Sequence, residues 1–172
     1  PLSKPGKDPK FVNNLRFIAL SSNVAKIFER MVNFRLQTLL AKDNDLLNKY
    51  QSGFRKFRQT YDNIAFLEHE VLLALNANNG CKAVGKEQVA AVFFDLSKAY
   101  DVTWRTLILA QLSKQNINGL MLKFLANFLQ ERNFQIILGN TLSEPKKQEN
   151  GVPQGSVLSV TLFQIAINTV FN

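Results

Sequence analysis

One stretch limits the fold more than any other. From Ser156 to Asn172 the chain reads SVLSVTLFQIAINTVFN, which at helical period is apolar nearly all round. A helix of that kind has no face to give to water and has to be enclosed. It stops without a glycine or a basic last turn, and this is expected to mark a cut that removed part of its packing. A first residue that is Pro rather than Met, with no signal-peptide pattern, points the same way: the chain reads as an internal piece of a longer protein.

The clearest strand is Val89-Ala90-Ala91-Val92-Phe93-Phe94, ending abruptly at Asp95. A run apolar on both faces implies a sheet covered on both sides. It is also the longest uninterrupted apolar run, far short of the roughly 20 residues a spanning helix needs. No membrane span is expected. A loop over residues 1–14, rich in Pro and Lys, leads to a helix capped by Ser21 or Ser22. Its stripe is Val24, Ile27, Phe28, Met31, Val32, Leu36, Leu39 and Leu40, and it stops at Asp43-Asn44. A second helix is expected from about Asp62 to Asn76, burying Ile64, Leu67, Val71, Leu72 and Leu75 and leaving His69 on the polar side. Helices near 103–114 and 119–130 follow, then a hairpin-like stretch from Asn133. Helix, strand and hairpin mix without a regular βα repeat, so the class is α+β.

A single cysteine, Cys81, and a single histidine, His69, exclude a disulfide framework, a zinc ribbon and a Cys/His catalytic pair. Gly80 to Glu87, GCKAVGKE, has phosphate-loop spacing, but Glu87 stands where a metal-binding Ser or Thr belongs. The segment also follows a helix instead of a strand, so a nucleoside-triphosphatase reading is rejected.

Charge is informative because it is uneven. Residues 1–60 hold twelve Lys/Arg against four acids, the whole of the net +8, while the other 112 residues balance nine against nine. Such asymmetry suits contact with a polyanion, most often nucleic acid and less often an anionic membrane surface, as well as a merely solvated surface. Within it, Tyr50 to Arg58 interleaves Arg55, Lys56 and Arg58 with Tyr50, Phe54 and Phe57 around Gly53. Stacking faces and phosphate-binding cations suit a single strand, and bases snorkelling over a small apolar cluster would read the same.

Two segments can carry chemistry. Asp95, at the edge of the expected strand, could hold a divalent cation rigidly, or it could be an ordinary cap or turn aspartate. Gly151-Val152-Pro153-Gln154-Gly155-Ser156 feeds into the apolar helix. Its glycines permit close backbone approach, Gln154 can donate and accept, and Ser156 can cap. A plain loop before a helix has the same composition.

In order along the chain, RFIALSS, QSGFRKFRQTYDNI, FFDLSKAYD and QENGVPQGSVLS resemble the reverse transcriptase domain of non-LTR (LINE-type) retrotransposons. The wording KAYDVTW and NGVPQGSVLSVTLF is most similar to jockey-like arthropod elements. The resemblance implies a right-hand polymerase fold, with fingers over 1–90 and part of a palm over 91–172, truncated before the Asp-Asp hairpin that completes the family's metal site. It implies RNA-directed DNA polymerase activity on an RNA template, a DNA primer and dNTPs, with two Mg²⁺ ions, no membrane, and action in the nucleus and cytoplasm. Asp95 and the Leu96 carbonyl would hold metal, and Tyr100 would back the sugar and exclude a 2′-hydroxyl. Arg16, with Lys4 or Lys7, would grip the triphosphate. Gln154 and Gly155 would shape the nucleotide pocket, and Gly53 and Arg55 would lie along the template.

Several positions depart from the family pattern: Phe17 replaces Pro, Ser52 an aromatic, Phe57 a glycine, Gln59 and Tyr61 small hydroxyl residues, and Val160 a common Pro. No carboxylate follows Glu149, so the piece alone is expected to be inactive. The alternative reading is a decayed or domesticated copy that keeps nucleic-acid binding without polymerising.

Overall fold

The enclosed helix is where the expectation from sequence and the computed structural model agree most fully. The structure describes residues 1–42, 47–76 and 89–171. The Asp43-Asn44 helix stop, Cys81 and the GCKAVGKE segment lie outside the described residues. The chain divides into two units, one of residues 1–47 with 98–172 and one of residues 48–97.

In the first unit, α6 (Val157–Ile167) buries Leu158, Ser159, Thr161, Leu162, Gln164, Ile165 and Ala166. It packs against α1 (Asn23–Lys42) and α4 (Arg105–Lys114), and α4 packs against α5 (Gly119–Leu129). Leu36 and Leu40 of α1, Ile108 and Leu112 of α4, and Leu125 and Leu129 of α5 join Leu158, Leu162 and Ile165 in one core. Each such side chain, fully buried, contributes roughly 1.5–3 kcal/mol.

Of the two serines proposed to cap α1, Ser22 does so: its Oγ accepts from the Ala25 amide at 3.1 Å. The face α1 turns inward differs from the expected stripe. Leu36 and Leu40 are buried, but so is Glu29, and Val24, Ile27, Phe28 and Met31 are exposed. The helix has apolar residues on two sides, and the side that packs is the one whose polar members, Glu29 and Asn33, find partners on α6.

The first residues are more ordered than a plain loop. β1 (Leu2–Ser3) pairs antiparallel with β2 (Leu15–Arg16), and the Lys4 ammonium donates to the Asn13 carbonyl at 2.8 Å. After α5 the expected hairpin is present as two nested ladders. β3 (Asn133–Phe134) pairs with β6 (Lys146–Lys147), and β4 (Ile137–Leu138) pairs with β5 (Thr141–Leu142) around Gly139. α3 (Ala99–Val102) is a single turn leading to α4.

In the second unit, α2 (Thr60–Asn76) matches the expected helix, and Asp62 accepts the Gln59 amide at its start, 2.7 Å away. The burial expected of it is absent. Ile64, Leu67, Leu72 and Leu75 are exposed and Val71 is half-buried, because no other described element of this unit covers that face. Tyr50 packs on Phe66, ring centroids 5.0 Å apart. The strand expected over Val89–Phe94 is also corrected. The segment is neither strand nor helix, and Phe93 and Phe94 are 82% and 92% exposed. A strand exists only through a hydrogen-bonded neighbour, and the described strands are all paired with one another.

Candidate active site

The turn 151–156 is held from other segments at Gly151, Val152 and Gln154. The Gly151 amide donates to the Thr103 carbonyl at 3.0 Å, and the Val152 amide to the Tyr100 carbonyl at 2.8 Å. The Gln154 carbonyl accepts from the Ala19 amide at 2.6 Å. Arg105 closes the preceding loop by donating to the Gly151, Gln148 and Asn150 carbonyls at 2.8, 2.8 and 3.1 Å. Burial, and after it the neighbouring Arg132, lower the pKa of this guanidinium. Charge-assisted bonds to three carbonyls in one loop make a rigid tie.

Both glycines are required by close approach. At Gly151, with φ +78°, a Cβ would lie 2.5 Å from the Asp101 carbonyl oxygen. At Gly155, with φ +114°, it would lie 2.9 Å from the Ala19 carbonyl oxygen. The left-handed region and the crowding both exclude an L side chain.

Tyr100 sits on α3, half-buried, its ring stacked on Phe163 at 5.1 Å and 19°. Burial pushes its phenol up. The ring is therefore a fixed, neutral plate beside the turn, since its own carbonyl holds Val152.

Of the residues singled out in the sequence, Tyr100 is tied through its carbonyl to the turn that carries Gln154 and Gly155. Arg16 is exposed on β2, three residues before Ala19, and Lys7 is exposed in the β1–β2 connection. Lys4 is committed to Asn13. Asp95 and Leu96 are exposed in the irregular end of the second unit. Gly53 and Arg55 belong to that unit too. Arg55 folds back on its own loop, donating to the Asn48 and Gln51 carbonyls at 2.9 and 3.2 Å, and burial, then Arg58, lower its pKa.

Two residues escaped the sequence reading, Arg105 and Glu29. Glu29 is 6% exposed; its Oε2 accepts from the Ser156 hydroxyl at 2.5 Å and the Val157 amide at 2.8 Å. Ser156 thus donates its hydroxyl to Glu29 and does not itself cap α6. The signal was the spacing of Glu29, Asn33 and Gln37, which puts three polar groups on one face at i, i+4 and i+8.

No cluster of three or more His, Cys, Asp or Glu side chains occurs among the described residues. Asp95 with the Leu96 carbonyl does not amount to a cation site by itself.

Residues 3–172 match the family described as reverse transcriptase (RNA-dependent DNA polymerase). The chain belongs to the reverse transcriptase family. This reverse transcriptase segment is 29% identical to the probable RNA-directed DNA polymerase from transposon BS of Drosophila melanogaster, over 95% of the chain. Its identity to the RNA-directed DNA polymerases from mobile element jockey is 30% in Drosophila funebris, over 94% of the chain, and 32% in Drosophila melanogaster, over 95%. The segment spans 17% of the length of each of these relatives. The jockey-like resemblance is thereby borne out. Reverse transcriptases generally use divalent metal ions. No helix among the described residues is long and apolar enough to cross a membrane.

Proposed function

We propose that this reverse transcriptase segment is the fingers and part of the palm of a retrotransposon RNA-directed DNA polymerase, and that the turn 151–156 with Tyr100 forms its nucleotide pocket. The observation that carries the assignment is the hydrogen bond that ties Tyr100 to the turn carrying Gln154 and Gly155. The substrates are an RNA template, a DNA primer and dNTPs, and the protein acts in the nucleus and cytoplasm.

The Tyr100 plate, braced by Phe163, supports the sugar of the incoming nucleotide and leaves no room for a 2′-hydroxyl. Gly155, whose missing side chain admits the Ala19 carbonyl, shapes the pocket by seating the turn on the 18–19 backbone, while Gln154 supplies polar contacts. Arg16 and Lys7 place positive charge toward the triphosphate, and Gly53 and Arg55 follow the template. Asp95, with the Leu96 carbonyl, would be the contribution of this segment to binding two Mg²⁺ ions, a site that needs further carboxylates. When bound, the ions neutralise charge on the transferring phosphoryl group.

Primer extension by the full-length protein on an RNA template tests this reading. Asp95→Ala abolishes extension while leaving hybrid binding largely intact, and Tyr100→Ala relaxes discrimination against ribonucleotides. Unchanged extension or unchanged discrimination removes the corresponding role.

A second reading is favoured by Phe57, a bulky, exposed residue at φ +63° where the family has glycine. A decayed or domesticated copy tolerates that substitution. A full-length protein that binds hybrid but never extends a primer is the result that selects it.

A further inference from the structure

The stretch from residue 19 into α1 grips the 151–156 turn twice, and only Gly155 lies between the two grips. On one side the Ala19 amide holds the Gln154 carbonyl at 2.6 Å. On the other, ten residues along the same stretch, the Glu29 carboxylate holds Ser156 and the first amides of α6: Ser156 Oγ at 2.5 Å, the Val157 amide at 2.8 Å and the Leu158 amide at 3.4 Å. Those amides are among the donors that a helix N-terminus leaves without an intrahelical partner, and the helix dipole adds to their attraction for a carboxylate.

One turn further along, Asn33 Oδ1 accepts from the Thr161 hydroxyl at 2.6 Å, and the Gln37 side-chain amide donates to Thr161 Oγ1 at 3.4 Å. Thr161 is fully buried. A sliding or rotated α6 would leave these polar groups unmet in a closed interface, so the seam admits one register. Two points of attachment, one from the stretch before α1 and one from α1 itself, fix both the height and the direction of the residue between them.

We infer that Glu29 is a positioning residue for the nucleotide pocket: from α1 it sets the start of α6, and through Ser156 it fixes Gly155 and the direction of Gln154. The inference rests on the polymerase reading above. Glu29 touches no reacting atom, and its effect is on how the pocket meets the nucleotide.

The experiment uses the full-length protein with Glu29→Ala, Glu29→Gln and, as a core control, Leu162→Ala. Steady-state incorporation is measured as dNTP is varied, and amide exchange is followed at Val157 and Leu158. Glu29→Ala raises KM for dNTP about tenfold, with a much smaller change in kcat, and speeds exchange at both amides. Glu29→Gln keeps an acceptor at the same reach and restores both readouts to within about threefold of wild type. Leu162→Ala lowers thermal stability without the selective rise in KM. The inference is overturned if Glu29→Ala shifts KM no more than Leu162→Ala does, if Gln fails to rescue, or if exchange at Val157 is unchanged. A wild-type protein that extends no primer defeats the polymerase reading instead, and exchange at Val157 and Leu158 then still decides whether Glu29 holds the start of α6.

Discussion

At the residue scale, backbone conformation explains choices that side-chain chemistry leaves open. Phe57 has φ +63° and is 90% exposed, its ring offering a face to the Lys56 ammonium 4.9 Å away. The left-handed region costs a residue with a Cβ roughly 1–2 kcal/mol, and glycine gives back part of that through its freedom in the unfolded chain. Phe57→Gly therefore stabilises the protein by up to about 1 kcal/mol. Chemical denaturation at constant m-value is the check, and a loss of stability counts against the conformation. Gly155→Ala runs in the opposite sense, since its new Cβ would meet the Ala19 carbonyl.

Tyr100 gives a pH dependence whose sign is fixed. Burial raises its folded pKa above the ordinary value of 10.0. A raised acid favours the native state fully below the unfolded pKa, and that contribution is lost as pH rises through the folded one. Stability of the wild type thus falls more steeply above pH ~10 than that of Tyr100→Phe. Parallel slopes for the two proteins between pH 9 and 11 would place the phenol in water.

At the element scale, Arg105 ties three carbonyls of the 148–151 loop from the first turn of α4. Hydrogen bonds to a charged group are worth about 1.5–3 kcal/mol, and part of that is recovered by water at the exposed end. Arg105→Ala is expected to destabilise by about 2–3 kcal/mol, with Arg105→Lys recovering only a minor part because an ammonium cannot reproduce the planar fork. Thermal unfolding of the three proteins measures this.

What was legible in the sequence divides along the line between local and non-local interactions. α6 was legible because a helix apolar all round has one solution, enclosure, and the glycines at 151 and 155 because tight turns state their own backbone needs. The inward face of α1 was not, since two apolar sides compete and the winner is decided by the partners Glu29 and Asn33 find 128 residues away. The run Val89–Phe94 misled for the complementary reason. Its composition reports what it would do beside another strand, and no described strand pairs with it. Arg105 was invisible because its acceptors are main-chain carbonyls more than forty residues on, which carry no side-chain signal.

At the scale of the whole molecule, charge is the feature that sequence states most directly. The excess of eight positive charges lies wholly within residues 1–60, and residues 61–172 are neutral as a group. Neutralising phosphates releases condensed counterions, so each contact adds a definite increment to the salt dependence, about 0.7 in log–log slope on single strands and 0.9 on duplex. A protein that uses its basic N-terminal part against RNA or an RNA–DNA hybrid therefore loses affinity linearly on that scale. Removing one participating cation lowers the slope by about one increment. Arg16→Gln and Lys7→Gln, both exposed, are expected to reduce the slope, each by up to one such increment, whatever the nucleotide sequence. Lys114→Gln or Lys123→Gln, exposed cations of the neutral part, leave the slope unchanged. The measurement is hybrid affinity from 50 to 300 mM salt for wild type and the four variants. Equal slopes in all five would show that the basic excess is spent on solubility, and a larger change from Lys114 or Lys123 would move the nucleic-acid surface out of residues 1–60.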